Sequence, residues 1–212
     1  MLSSLRGDVA TYSGRMLIEH RGAVPTIDPT AVVAITAVIS GAVTVGAGAR
    51  VLHGAVLTAE DGAIQIGANT VILENALIRG RAGHDVHIGD SVMIGPHAHV
   101  NGAVVGDEAF IATGASVFPG ASIGVGAEVR INAVVQVNTV VEPGTVVPIG
   151  WVAVGNPARL FAPDRHDEIW AIQKTLDFTG TVYGAAPGTG MRDIMSAQSE
   201  FYGAHRDDRE LG

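Results

Sequence analysis

The sequence predicts a mainly β protein: a single-stranded, left-handed parallel β-helix of hexapeptide repeats with a C-terminal α-helix. Three observations predict it. From Ile88 an aliphatic residue returns at every sixth position through Ile94 and Val100. After one five-residue step the beat continues through Val105, Ile111, Val117, Ile123, Val129, Val135, Val141 and Val147. An earlier run keeps the same beat through Val33, Ile39, Val45, Val51 and Leu57 and, after a slip, through Ile66, Ile72 and Ile78. The chain of 212 residues holds 28 glycines but only 5% aromatics, which suits a core of small and β-branched side chains broken by frequent turns. A period of six is neither the two of an alternating strand nor the 3.6 of a helix. It is the form of a solenoid in which each unit is one short strand and a turn, and three units close one coil. Nothing in a β-sandwich would enforce it.

Residues 1–26 read as an N-terminal extension and cap: residues 1–15 as a loosely held segment, then a short strand over 16–20 with Pro25 and Pro29 in the connection to the first coil. A cap is needed because each coil buries its inward residues only against its neighbours. Residues 27–162 form the β-helix. Glycine follows the aliphatic residue at Ile66-Gly67, Ile88-Gly89, Ile94-Gly95 and Ile123-Gly124, where corners leave little space. The beat breaks between Ile78 and Ile88, so residues 79–87 are expected to leave the coil as an extruded loop, the part of a solenoid free to carry function.

Residues 163–212 read as a C-terminal helical segment. Asp164 after Pro163, with Asp167 three residues on, resembles a helix N-cap, and Ile169, Ile172 and Leu176 recur at helical spacing. This helix is expected along the outside of the prism, with Trp151 and Trp170 packed between it and the last coil. A Gly- and Pro-rich stretch over 184–190 precedes a second amphipathic segment with Ile194, Met195, Phe201 and Tyr202 on one side, which reads either as a cap on a neighbouring subunit or as a flexible end.

The formal net charge of -8 and the lack of clustered Lys and Arg argue against nucleic acid as a partner. Cysteine is absent, so disulfides and thiolate metal sites are excluded, and any metal needs His, Asp or Glu. No basic segment followed by an apolar run opens the sequence, and no uninterrupted apolar run reaches 18 residues. No membrane association and a cytoplasmic location are the expectation.

The period also places side chains, because residues one coil apart stack about 4.8 Å from each other. Counting units in threes puts Val51, Ile72, Ile94 and Ile111 on one face, with His53, Glu74, Pro96 and Thr113 as an outward column two places on. Leu57, Ile78, Val100 and Val117 fall on the next face, with Thr58, Arg79, Asn101 and Phe118 one place on. Five of the eight histidines, His53, His84, His87, His97 and His99, lie on or near these columns.

Several local sequences then match one family in order: Asp28-Pro29-Thr30-Ala31-Val32 with Ala34, Gly41-Ala42-Val43-Thr44-Val45-Gly46, Val56-Leu57 and Ile64-Gln65-Ile66-Gly67-Ala68-Asn69-Thr70. After the interrupting loop come Ile88-Gly89-Asp90, Gly95-Pro96-His97-Ala98, Gly114-Ala115 and the closing Gly155-Asn156-Pro157-Ala158-Arg159. Over about residues 16–176 the chain resembles the gamma-class carbonic anhydrase-like family. The resemblance implies a homotrimer of left-handed β-helices with a C-terminal helix and, in active members, a zinc ion held by three histidines between two subunits. Carried over residue by residue, those histidines fall on Arg79, Pro96 and Asn101. The family's neighbouring arginine and aspartate fall on Thr58 and Glu60, and its glutamine and acidic pair on Leu73 and Glu74.

Zinc needs three or four N, O or S donors, and this set does not supply them, so no metal and no ordinary carbonic anhydrase activity are expected there. A rebuilt zinc site would draw on His97, His99, His84 and His87. An arginine in place of a ligand favours a small anion instead, with Arg79, Glu74, Asn101, His53, Glu60 and His84 as ligand-binding candidates. The bland reading of the same residues is an intersubunit ion pair between Arg79 and Glu74. Hexapeptide-repeat acyltransferases are the other relatives, so an acyl-CoA-dependent acyltransferase or thioesterase with His97 or His99 as the catalytic base is the alternative. A non-catalytic structural trimer is the third reading. Whether the chain is an enzyme stays open at this point.

Overall fold

The computed structural model describes residues 16–211, and over them the hexapeptide period becomes about 8 turns of a three-faced, left-handed parallel β-helix. The extension read over residues 1–15 lies outside the described residues. Two faces are seven-stranded parallel sheets. The third is a ten-stranded sheet, parallel except for its two outermost strands, Arg159–Phe161 at one end and Arg209–Leu211 at the other.

The inward column of each face is the aliphatic residue of the repeat. Ile39, Leu57, Ile78, Val100, Val117 and Val135 stack under the ten-stranded sheet, Val51, Ile72, Ile94, Ile111, Val129 and Val147 under a second, and Val45, Ile66, Ile88, Val105, Ile123 and Val141 under the third. None is more than 3% exposed. Burying a side chain of this size contributes about 1.5–3 kcal/mol. An alanine two places earlier, as at Ala37, Ala55, Ala76, Ala98 and Ala115, fills the tight corner and is fully buried.

A left-handed backbone position recurs in the turns, held by glycine or by a side chain that tolerates it, as at Asn69, Asn75, Asn132 and Asn138. The Oδ1 of Asn75 sits in the space that a Cβ on Gly54, one coil below, would need. His97 is one of these turn residues (φ 56°) and is exposed.

The expected extruded loop is a correction. Arg79 and Gly80 are still strand, in Leu77–Gly80, and the next strand begins at Val86. Between them residues 81–84 close a tight turn through Arg81 N–H to the His84 carbonyl (3.1 Å) and the reverse bond (2.8 Å). Four extra residues are absorbed by one hairpin-like corner. A similar turn closes over residues 20–23, where His20 and Ala23 exchange bonds of 3.0 and 2.9 Å.

Helix α1 (His166–Gln173) follows the last coil. Its N-cap is Arg165, which makes no capping bond from its side chain, so the cap expected at Asp164 is not formed. Asp167 and Glu168 still fall in the first turn, where the helix dipole favours negative charge. Ile169 packs with Val154 and Phe161, and Ile172 and Leu176 close over the same cluster. Trp151 packs on the core, but Trp170 is 52% exposed, contrary to the expectation for both tryptophans.

The rest of the tail returns along the ten-stranded face to the opposite end of the prism. Asn138 Nδ2 donates to the Leu176 carbonyl and Thr181 Oγ1, both at 3.0 Å, fixing the approach to α2 (Phe178–Tyr183). In α3 (Met191–Tyr202) the buried residues are Ile194 and Gln198, four apart on one stripe; Met195, expected beside Ile194, is turned outward and 45% exposed. A 3-10 turn (Gly203–Asp207) leads to the strand Arg209–Leu211, which pairs antiparallel with Met16–Glu19. The tail thus packs on its own coils and ends in a strand.

Candidate functional site

The ten-stranded face sets the register of the site. Arg79 lies between Thr58 and Asn101 as a cross-strand partner of both, and His99 pairs with Leu77. The Arg79 guanidinium donates weakly to Tyr202 Oη (3.4 Å) and lies 5.7 Å from the centre of that ring. Among the described residues it has no carboxylate partner; Glu74 is an exposed turn residue. Arg79 Nε, His99 Nε2 and Asn101 Oδ1 are all buried without a hydrogen-bond partner. Burial, and then the Arg79 charge, hold the His99 pKa below the ordinary histidine value. The edge of Phe118 meets the His99 ring at 6.2 Å, and Phe118 in turn packs on Phe178 of α2.

Beside this column a cavity of about 150 Å³ lies between the coil corner and α2, lined by Asp61, Arg81, His84, Asn101, Thr181 and Val182 among others. Arg81 donates to the Val182 carbonyl (3.1 Å) and to Gln198 Oε1 (3.2 Å). Its guanidinium also stacks 4.3 Å from the centre of the Phe201 ring, which Arg21 covers at 5.0 Å.

The other candidates stand apart from this cavity. His53 bonds Thr36 Oγ1 (2.9 Å) on an exposed turn, and His87 bonds Gln65 Oε1 (3.2 Å) on a seven-stranded face. His84 and His87 share an open depression on the far side of the corner. Pro96 and His97 sit in a turn following the strand Met93–Ile94 of the other seven-stranded sheet. Within this chain, His84, His87, His97 and His99 do not converge on one point.

Another set of residues does. Among the described residues, His20, Glu60 and His205 form the one group of three His, Asp or Glu side chains whose donor atoms all lie within 4.8 Å of each other. Glu60 Oε2 is 3.0 Å from His205 Nε2 and 3.8 Å from His20 Nε2, and Thr58 Oγ1 donates to its other oxygen at 3.1 Å. On the far side of the rings Asp208 receives both Nδ1 atoms, His20 at 2.6 Å and His205 at 2.9 Å. The rings stack with centres 4.3 Å apart, and Tyr202 stacks on His205 at 6.4 Å. Burial alone would lower the His205 pKa, but the Asp208 bond and the charges of Glu60 and Asp208 outweigh it and raise it.

Sequence reading singled out Glu60 but neither His20, His205 nor Asp208. His20 opens the cap turn and His205-Arg206-Asp207-Asp208 lies ahead of the strand Arg209–Leu211 in the tail, and no period links the two. The polar run His205-Arg206-Asp207-Asp208 after the amphipathic segment is the local signal.

No protein-family model matches the chain. Gamma carbonic anhydrase 3, mitochondrial, of Arabidopsis thaliana is 41% identical over 98 residues, covering 43% of this chain and 38% of that protein. Gamma carbonic anhydrase 1, mitochondrial, of the same plant is 36% identical over 98 residues, covering 43% of this chain and 35% of that protein. The match therefore spans less than two fifths of the length of these relatives. Among solved structures, a hexapeptide transferase family protein from Anaplasma phagocytophilum superposes with TM-score 0.50 at 24% identity, covering 87% of this chain and 98% of that one. A Bacillus cereus protein with a provisional acetyltransferase assignment gives TM-score 0.56 at 18% identity, covering 90% and 99%. These two likenesses bear on the fold.

The repeat and the three-faced coil define a hexapeptide-repeat β-helix protein. Within that class, 98 residues of the chain are similar to gamma carbonic anhydrases. Among the described residues, no helix is long and apolar enough to cross a membrane.

Proposed function

We propose that this gamma carbonic anhydrase-like chain assembles as a homotrimer and binds a small oxyanion against the Arg79, His99 and Asn101 positions of the ten-stranded face, without a three-histidine zinc. Arg79 has no lone pair to offer a metal, the Pro96 side chain has no donor atom, and a single amide at Asn101 is a poor ligand. The donor set does not fit zinc.

The observation that carries the reading is the trio of buried, partnerless atoms on two adjacent strands: Arg79 Nε, His99 Nε2 and Asn101 Oδ1. Buried polar atoms are nearly always hydrogen-bonded, so three together are what a polar ligand would satisfy. The Arg79 N–H calls for an anionic oxygen, and the Asn101 carbonyl for a hydroxyl. Bicarbonate is the simplest ion with both. The neighbouring cavity of about 150 Å³ is well below the roughly 300–1,000 Å³ of sites for drug-sized ligands, which suits a ligand of few heavy atoms. A second copy of the chain is supported by the outward column Val32, Arg50, Val71, Met93, Phe110, Glu128 and Val146 on one seven-stranded face, in which five of the seven side chains are apolar.

The test is calorimetric titration of bicarbonate, formate and acetate into the intact chain and into Arg79→Ala, with sedimentation to give the assembly state. The expected result is binding strongest for bicarbonate and weakened roughly tenfold or more by Arg79→Ala, in line with the about 1.5–3 kcal/mol of a hydrogen bond to a charged group. No heat from any of the three at millimolar concentration refutes the anion reading.

A further inference from the structure

We infer that His20, Glu60 and His205 form a binding site for a first-row divalent cation, zinc or a close relative, assembled when the C-terminal tail docks on the first coils. It is independent of the anion reading, because it uses none of Arg79, His99 or Asn101.

Asp208 accepts from both Nδ1 atoms, at 2.6 Å from His20 and 2.9 Å from His205. When neutral, each imidazole therefore carries its hydrogen on Nδ1 and its lone pair on Nε2. Both Nε2 atoms face the same oxygen, Glu60 Oε2, at 3.8 and 3.0 Å. The result is two imidazole nitrogens and a carboxylate oxygen within 4.8 Å of one another, with the far side of both rings anchored by a second carboxylate. That outer contact is what orients metal-bound histidines and raises their basicity.

Without a cation the arrangement leaves a debt. His205 can donate from Nε2 to Glu60, but His20 Nε2 is buried, with its side chain 0% exposed, and has no hydrogen-bond partner. A buried polar atom left unmade costs about 1–3 kcal/mol. A cation about 2.0–2.2 Å from each donor would satisfy all three, and donor atoms 3.0 and 3.8 Å apart bracket the separation such bond lengths require. Two imidazoles and one carboxylate suit zinc and its first-row neighbours, whereas calcium and magnesium prefer all-oxygen shells. Three protein donors leave at least one coordination position for water or a further ligand. Access is from the His205 side, whose side chain is 37% exposed.

The sequence explains how residues so distant meet. His20 opens the cap turn after the strand Met16–Glu19, and Glu60 follows Val56–Ala59 two coils on at the same corner. The coil between presents Gly41 and Ala42, too short to separate them. His205 and Asp208 arrive with the tail.

The experiment uses the full chain, untagged and stripped with chelator, titrated with cobalt(II) while the visible d–d bands are followed, then back-titrated with zinc. One equivalent of cobalt with tetrahedral or five-coordinate bands, displaced by zinc, is the expected result. His205→Ala and Glu60→Gln should each weaken cobalt binding by about 100-fold, and Asp208→Asn by about 10- to 100-fold through the outer contact. His99→Ala should leave it unchanged, and far-UV circular dichroism should show each variant keeping its β-helix. Absence of stoichiometric cobalt or zinc binding by the folded wild-type chain overturns the site, as does binding that survives His205→Ala but is lost in His99→Ala.

Discussion

His20 Nδ1 lies 2.6 Å from Asp208 Oδ1, so a side chain in the first cap turn and one at the end of the tail share a short hydrogen bond across 188 residues. The solenoid itself makes only contacts between adjacent coils. This bond, with the strand pairing of Arg209–Leu211 to Met16–Glu19, joins the first and last of the described elements.

Replacing Asp208 with alanine should therefore destabilise docking of the tail more than it destabilises the coils. The His20 Nδ1–H would be left buried and unmade, at about 1–3 kcal/mol. Hydrogen exchange in residues 203–211 is expected to speed up while the strands His99–Asn101 and Ser116–Val117 keep their protection. Equal acceleration everywhere would count against a local clamp.

Phe201→Ala should release α3. The ring is held between the guanidinium groups of Arg21 and Arg81, at 5.0 and 4.3 Å. Losing two cation–π contacts, each about 0.5–2 kcal/mol, is expected to expose residues 191–202 to limited proteolysis at least several-fold faster, with the β-helix core left as a resistant fragment.

His99 predicts a pH dependence of stability. Its folded pKa lies below the ordinary value of 6.5 because burial and the facing Arg79 charge oppose protonation, while Phe118 offers no compensating charge. Below pH 6.5 the unfolded chain takes up a proton that the folded chain refuses, so this residue lowers stability progressively as pH falls from there to its depressed folded pKa. Above pH 6.5 it contributes no slope. His99→Gln should flatten that part of the profile in urea denaturation midpoints measured from pH 7.5 to 5.

Two isoleucines separate core from surface. Ile78, fully buried in the stack under the ten-stranded sheet, should cost about 2–5 kcal/mol when cut to alanine. Ile35, 64% exposed in a turn, should change stability by no more than about 0.5 kcal/mol on Ile35→Thr. Chemical denaturation of both variants at one protein concentration checks the contrast.

The columns were legible because a strict period does the work of a structure: Ile72 over Val51 and Arg79 between Thr58 and Asn101 follow from counting sixes and threes. The breaks were less legible. A gap in the period shows that extra residues exist between Ile78 and Ile88 but not that one backbone pair, Arg81 with His84, folds them into a tight turn. The α1 cap was misplaced for a local reason, since Asp164 had the right side chain but the helix opens one residue later, at Arg165.

By itself the sequence determined the solenoid, its three aliphatic ladders and the helical character of the tail. Only the tertiary structure decided where the tail goes, and with it the meeting of His20 and Glu60 with His205 and Asp208. The physical reason is range. A repeat is written in contacts between neighbours six or eighteen residues apart, which leave a period in the sequence. The return of a tail along one face depends on side chains whose separation in the sequence carries no rhythm.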